Sequence, residues 1–135
     1  MLKRISPRIV VFLALYFVAS LAHFVHNAEF IALYPNMPGW VTREHVYLVW
    51  LAITAVGGAG VVFLQIGWGF LGLLALAAYG LFGLDGLGHY TLALCSEHSF
   101  AMNATIWFEV AAGVVLAAIC LAGAGRRMAG APRAA

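Results

Sequence analysis

Charge is what this sequence has least of. Seven lysines and arginines and five acids are spread over 135 residues, 9% in all, where a soluble domain carries roughly a quarter. A chain so poor in charge cannot dress a water-facing surface, and a net charge of +2 gives it no basic stripe with which to hold nucleic acid. Cysteine is almost as scarce. Cys95 falls in a polar stretch and Cys120 near the end of an apolar run, so the two form no CxxC pair and a structural disulfide is not expected. No nucleophile elbow or redox pair is found, and the glycines of "GAGRRMAG" lack the strand-turn-helix setting of a phosphate loop. No repeat or low-complexity linker divides the chain, so residues 1–135 are read as one domain.

What the sequence has in abundance is apolar surface, with 64% hydrophobic residues and a mean hydropathy of +0.98. Four runs, at about 9–33, 43–64, 69–89 and 102–121, approach or exceed the roughly 20 residues needed to cross a membrane. Ser6-Pro7 is a start signal for the first run and Pro35 and Pro38 end it. Thr42 precedes the second, "QIGWG" leads into the third, and "CSEHS" separates it from the fourth. The expected fold is therefore all-α, an integral membrane four-helix antiparallel bundle with short connections. Lys3, Arg4 and Arg8 precede the first span, Arg126, Arg127 and Arg133 follow the last, and Arg43 alone lies elsewhere. The positive-inside rule then predicts cytoplasmic N- and C-termini, in a bacterial-type inner membrane. The opening residues also have the form of a secretory signal, with Ser20 and Ala22 at cleavage-like positions. The apolar pattern continues through Phe24, Val25, Phe30, Ile31 and Leu33, which favours an uncleaved first span.

All five acids (Glu29, Glu44, Asp85, Glu97, Glu109) and all five histidines (His23, His26, His45, His89, His98) fall toward the end opposite the termini. In the first span His23, His26 and Asn27 share one helical face, with Glu29 at its edge. At 1.5 Å per residue His23 is expected about 15 Å below the end of that span. The second span brings Glu44 and Tyr47 at i,i+3. The third brings Asp85 and His89 at i,i+4, provided that the helix survives Gly83, Gly86 and Gly88, which would equally mark a thin packing surface or a break. In the fourth, His98, Met102, Thr105 and Glu109 form one stripe. Ionisable residues inside a membrane face the bundle interior and pair there. One polar layer is therefore expected, with either a chemical role or the role of fixing helix register.

Imidazole with carboxylate is a ligand set for zinc, iron, manganese or oxidised copper. The candidate ligands are His23, His26, Asp85, His89 and Glu109, with Asn27, Glu29, Glu44, Tyr47, Tyr90, His98 and Met102 as supporting or ligand-contacting residues. The leading expectation is a metal ion in a redox or handling role. The alternative is a metal-free intramembrane pocket that binds or isomerises an apolar, lipid-like small molecule, with the acids and a histidine moving protons. A haem-b electron carrier, with axial histidines from the first and third spans, and a structural role beside other membrane subunits complete the set. The bilayer itself is the expected partner of such a chain. The tryptophans and the tyrosines at span ends read chiefly as an interfacial belt.

Four short spans, "HNAE" (His26 to Glu29) in the first and single acids in later spans resemble the small four-helix families grouped as HXXEE proteins. Phe30 stands where that motif has a second glutamate. The general plan is also similar to emopamil-binding-type (EXPERA) proteins, which hold sterol-like ligands between helices over buried acids and histidine. The resemblance is one of layout. It implies a lipophilic ligand and carries no catalytic assignment.

Overall fold

A computed structural model of the protein describes residues 5–130. Lys3, Arg4 and Arg133, used above to orient the chain, lie outside the described residues. The described chain is all-helical. Its main helices are α1 (Pro7–Glu29), α2 (Arg43–Ile66), α3 (Gly69–Leu81), the short α4 (His89–Leu92) and α5 (Phe100–Met128), with a 3-10 segment, Phe82–Gly88, joining α3 to α4. Counting α3 through α4 as one, these make four helices long and apolar enough to cross a membrane.

Local chemistry fixes most of the boundaries. Pro7 stands in the first turn of α1, where its missing N–H leaves nothing unpaired. The helix stops at Glu29, four residues before the expected end, and Ile31–Leu33 tighten into a 3-10 turn. Pro35 requires an extended residue before it, and Tyr34 is extended at φ −73°, ψ 124°. His23 therefore lies six residues, about 9 Å, from the end of α1 rather than 15 Å. Thr42 Oγ1 accepts from the His45 N–H at 3.3 Å, and Ser99 Oγ accepts from the Met102 N–H at 3.2 Å. Thr42→Ala or Ser99→Ala is expected to cost about 1 kcal/mol each, read from thermal unfolding in detergent. Gly67, at φ 98°, takes the left-handed conformation that ends α2.

The third span departs from the uniform helix that the apolar run suggests. Gly83, Gly86 and Gly88 weaken helix propensity, and Phe82–Gly88 winds as 3-10, where residues three apart eclipse one another. Gly83 and Gly86 therefore turn inward together while Asp85 is exposed.

The bundle is a ring in which α1 neighbours α2, α2 neighbours α3, and α5 closes the circle between α3 and α1. Tyr16, Ala19, Leu73, Leu76, Tyr79, Leu116 and Cys120 form the main core. Cleavage after Ala22 would take Tyr16 and Ala19 out of it. A smaller cluster of Phe24, Ala28 and Val46 joins α1 to α2 at the histidine-bearing end. The closest crossing is between α3 and α5, where Gly80 and Gly113 oppose each other and a Cβ on either would strike the other's carbonyl oxygen. Both cysteines are free, Cys95 exposed and Cys120 buried.

Candidate functional site

The site is built at the end opposite the termini, where α1 and α5 run side by side and the 3-10 segment packs on α5. Its floor is Glu109 on α5. The residue is fully buried, and neither carboxyl oxygen has a hydrogen-bond partner. Its nearest basic neighbour is His23 on α1, with Nε2 3.7 Å from Glu109 Oε2, just beyond the reach of a direct hydrogen bond. On the other side of the ring, His23 Nδ1 lies 3.4 Å from Thr105 Oγ1. The Thr105 hydroxyl donates to the Met102 carbonyl at 3.0 Å, so toward His23 it offers only a lone pair. A neutral His23 with its proton on Nδ1 would donate to that lone pair and turn a bare Nε2 toward Glu109. A proton between them has two resting places, the carboxyl oxygen or Nε2.

Gly86 leaves the space beside this pair open. A Cβ there would lie 3.5 Å from Glu109 Oε2 and from Ile106 Cγ2, and 3.8 Å from His23 Nε2. These are ordinary contacts, so Gly86→Ala is expected to fold with an unchanged thermal midpoint while placing a methyl group against both Glu109 Oε2 and His23 Nε2. Slower carboxyl titration in time-resolved infrared spectra would mark the effect, and an unchanged rate would show that the space is idle.

From His23 a run of rings leads toward the surface. His89 stands edge-on to His23 at 5.4 Å between centroids, and Asn27 Nδ2 donates to His89 Nε2 at 3.2 Å. Tyr34 lies over His89 at 4.7 Å, and His98 is 6.2 Å from His89. The Tyr34 hydroxyl is 3.0 Å from His26 Nδ1, and burial pushes its pKa up to about 12, which keeps it neutral and able both to donate and to accept. His98 donates from Nδ1 to the Leu94 carbonyl at 2.9 Å and keeps a buried, unpartnered Nε2. Tyr90 packs edge-on to His98 at 5.4 Å and donates to Asn103 Oδ1 at 2.7 Å. Asn103 Nδ2 in turn donates to the carbonyls of Cys95 and His98, pinning the loop that carries His98.

On the inner side of Glu109 lie further unpartnered groups. Ser20 adjoins both Glu109 and Tyr16, and Thr54 adjoins Tyr79. The hydroxyls of Ser20, Tyr16, Tyr79 and Thr54 are all buried without partners, and the rings of Tyr16 and Tyr79 meet at 4.7 Å. A folded core normally satisfies such atoms. Five neighbouring side chains left unsatisfied mark a line suited to water or to a polar guest.

Of the expected ligands, His23, His26, His89 and Glu109 gather here, with Asn27, Tyr90, His98 and Met102 around them. Asp85 does not. Its i,i+4 alignment with His89 assumed α-helical winding, and the 3-10 twist turns it to the exterior. Glu29 is likewise outside the site. It pairs with Arg43 Nη2 at 2.9 Å and accepts from Tyr47 OH at 2.7 Å on the rim. Glu44 is exposed in the first turn of α2. Tyr34, Asn103, Ser20 and Tyr16 were not expected at the site. Ser20 and Tyr16 stand three and seven residues before His23, a spacing that places all three on one face. Among the described residues no three His, Cys, Asp or Glu side chains form a ready ligand set for a metal ion. Comparison with protein-family models, curated proteins and solved structures returns no match, so what the site does has to be inferred from its own geometry.

Proposed function

We propose that this chain is a multi-pass protein of a bacterial-type inner membrane, both termini cytoplasmic, in which Glu109 and His23 act as a buried acid–base pair for an apolar, lipid-like ligand. Arg8, Arg126 and Arg127 lie at the termini end of the helices, and the positive-inside rule supports the orientation. The rings of His89, Tyr34, His98 and His26 supply a path for protons between the pair and the opposite aqueous face. The single observation that carries the reading is Glu109, an ionisable group with both oxygens unpartnered in a wholly buried position beside Nε2 of His23. Such groups inside a membrane are costly and face functional interiors. The test is pH-difference infrared spectroscopy of the protein in lipid. One buried carboxyl band should titrate and vanish in Glu109→Gln.

A metal ion is the second reading, favoured by one imidazole and one carboxylate facing each other, His23 and Glu109, with His89 edge-on to His23. His23 Nε2 and Glu109 Oε2 stand close to the separation of about 3 Å that two ligands on one zinc-like ion adopt, and His89 would complete the set by turning from Asn27. Iron, copper, zinc or manganese at one equivalent in the purified protein, lost in His23→Leu, would establish it. Haem fits less well, because the two imidazoles touch edge-on, with one Nε2 turned to Glu109 and the other to Asn27.

A further inference from the structure

Away from the histidine end, α1 and α2 part. Beyond the contact of Phe17 with Trp50 at 5.7 Å they leave a sideways-opening groove of about 440 Å³, within the size range of small-ligand sites. Its walls include Val10, Leu13, Phe17 and Val61, and no charged residue lines it. Thr54 and Tyr79 are the two hydroxyl-bearing residues of the lining. Their hydroxyl oxygens are buried behind the apolar wall and unpartnered, and Tyr79 is 1% exposed. A groove open to the bilayer with two neutral, unsatisfied hydroxyls behind its wall suits a neutral head, which the Thr54 and Tyr79 side chains would turn outward to meet. Phosphate and carboxylate heads would find no cation there.

We propose that the α1–α2 groove binds one single-chain membrane lipid with an uncharged hydroxyl or carbonyl head, its tail along the apolar walls and its head hydrogen-bonded to Tyr79 and Thr54. This rests on the membrane-spanning part of the function proposed above and names the ligand class for it. Tyr16 and Ser20 stand between that head and Glu109, so the head would be the far end of the same polar line. The bound lipid gives Thr54 and Tyr79 the partners they lack within the chain.

The test is photolabelling in phosphatidylcholine nanodiscs with a diazirine-bearing hexadecanol. The alcohol should label peptides covering residues 10–18 and 54–61, saturably and in competition with plain hexadecanol. Diazirine hexadecanoate and diazirine phosphatidylcholine should not label them saturably. Gly58 lines the groove, and a Cβ on it would meet nothing within 4 Å. Gly58→Phe should therefore fold and abolish the labelling, while Gly58→Ala keeps it. Thr54→Val and Tyr79→Phe, each removing one hydroxyl, should weaken competition about fivefold, the effect of one lost hydrogen bond. Equal labelling by the charged probes, or labelling unchanged in folded Gly58→Phe, would overturn the proposal. So would a second copy of the chain cross-linked across the groove. Glu109→Gln should leave this labelling intact, so failure of the acid–base pair and failure of the groove are told apart.

Discussion

Glu109→Gln is expected to remove the titrating carboxyl and to slow any proton-coupled reaction of a bound ligand by about 10²–10⁴-fold, the usual contribution of a general acid or base. The substitution keeps the shape of the side chain and replaces one unpartnered polar head by another. Thermal stability should therefore stay within about 1 kcal/mol of the parent. That separation of effects distinguishes chemistry from architecture. If the polar layer served only to fix helix register, the same substitution would move the melting midpoint, and the parent protein would show no buried carboxyl titration at all. His23→Leu is the companion measurement. It removes the one basic side chain that lies within 4 Å of Glu109 among the described residues, and the carboxyl band should titrate at a different pH in its absence. A band that is absent from the parent, or unmoved in His23→Leu, would remove the pairing on which the proposal stands.

The second large effect belongs to the fold. Gly113→Val should destabilise the bundle by about 3 kcal/mol or more, at or beyond the upper end of overpacking costs. A Cβ at Gly113 would strike the Gly80 carbonyl oxygen and come within 3.0 Å of the Tyr16 ring. Backbone cannot swing aside as a flexible side chain can, so α3 and α5 would have to separate. Their separation would also draw Gly83 and Gly86 away from Tyr16 and Glu109, so proton exchange should fall together with stability. Gly123→Ala is the control, since its methyl would meet only the movable tips of Leu73 at 3.3 Å. Unfolding in detergent by heat or denaturant measures both. Equal midpoints for the two variants would contradict the close crossing.

The polar layer was only partly legible in the linear order of residues. Spacing placed His23, His26 and Asn27 together on α1 and Met102, Thr105 and Glu109 together on α5, because both helices are regular and period 3.6 holds along them, whereas His98 reaches the site from the loop before α5. Spacing failed in the third span, where it joined Asp85 to His89. Three glycines within six residues let the chain wind as 3-10 there, and a change from 3.6 to 3 residues per turn carries Asp85 to the outside and Gly86 to the inside. It also gave no weight to Tyr34, a tyrosine at a span end with the ordinary marks of an interfacial anchor. The extended backbone before Pro35 folds it back over His89 instead.

The sequence by itself determined that the chain is helical, that four stretches are long and apolar enough to span a membrane, and where α2 and α3 begin, because apolar length, proline, glycine and capping residues act within a few residues of where they stand. Only the tertiary structure decided which polar groups meet. Whether Glu109 faces His23 or Asp85, and whether Tyr79 ends beside Thr54, depends on how each helix is turned about its own axis. That rotation is set by packing at contacts such as Gly80 against Gly113, between residues far apart along the chain.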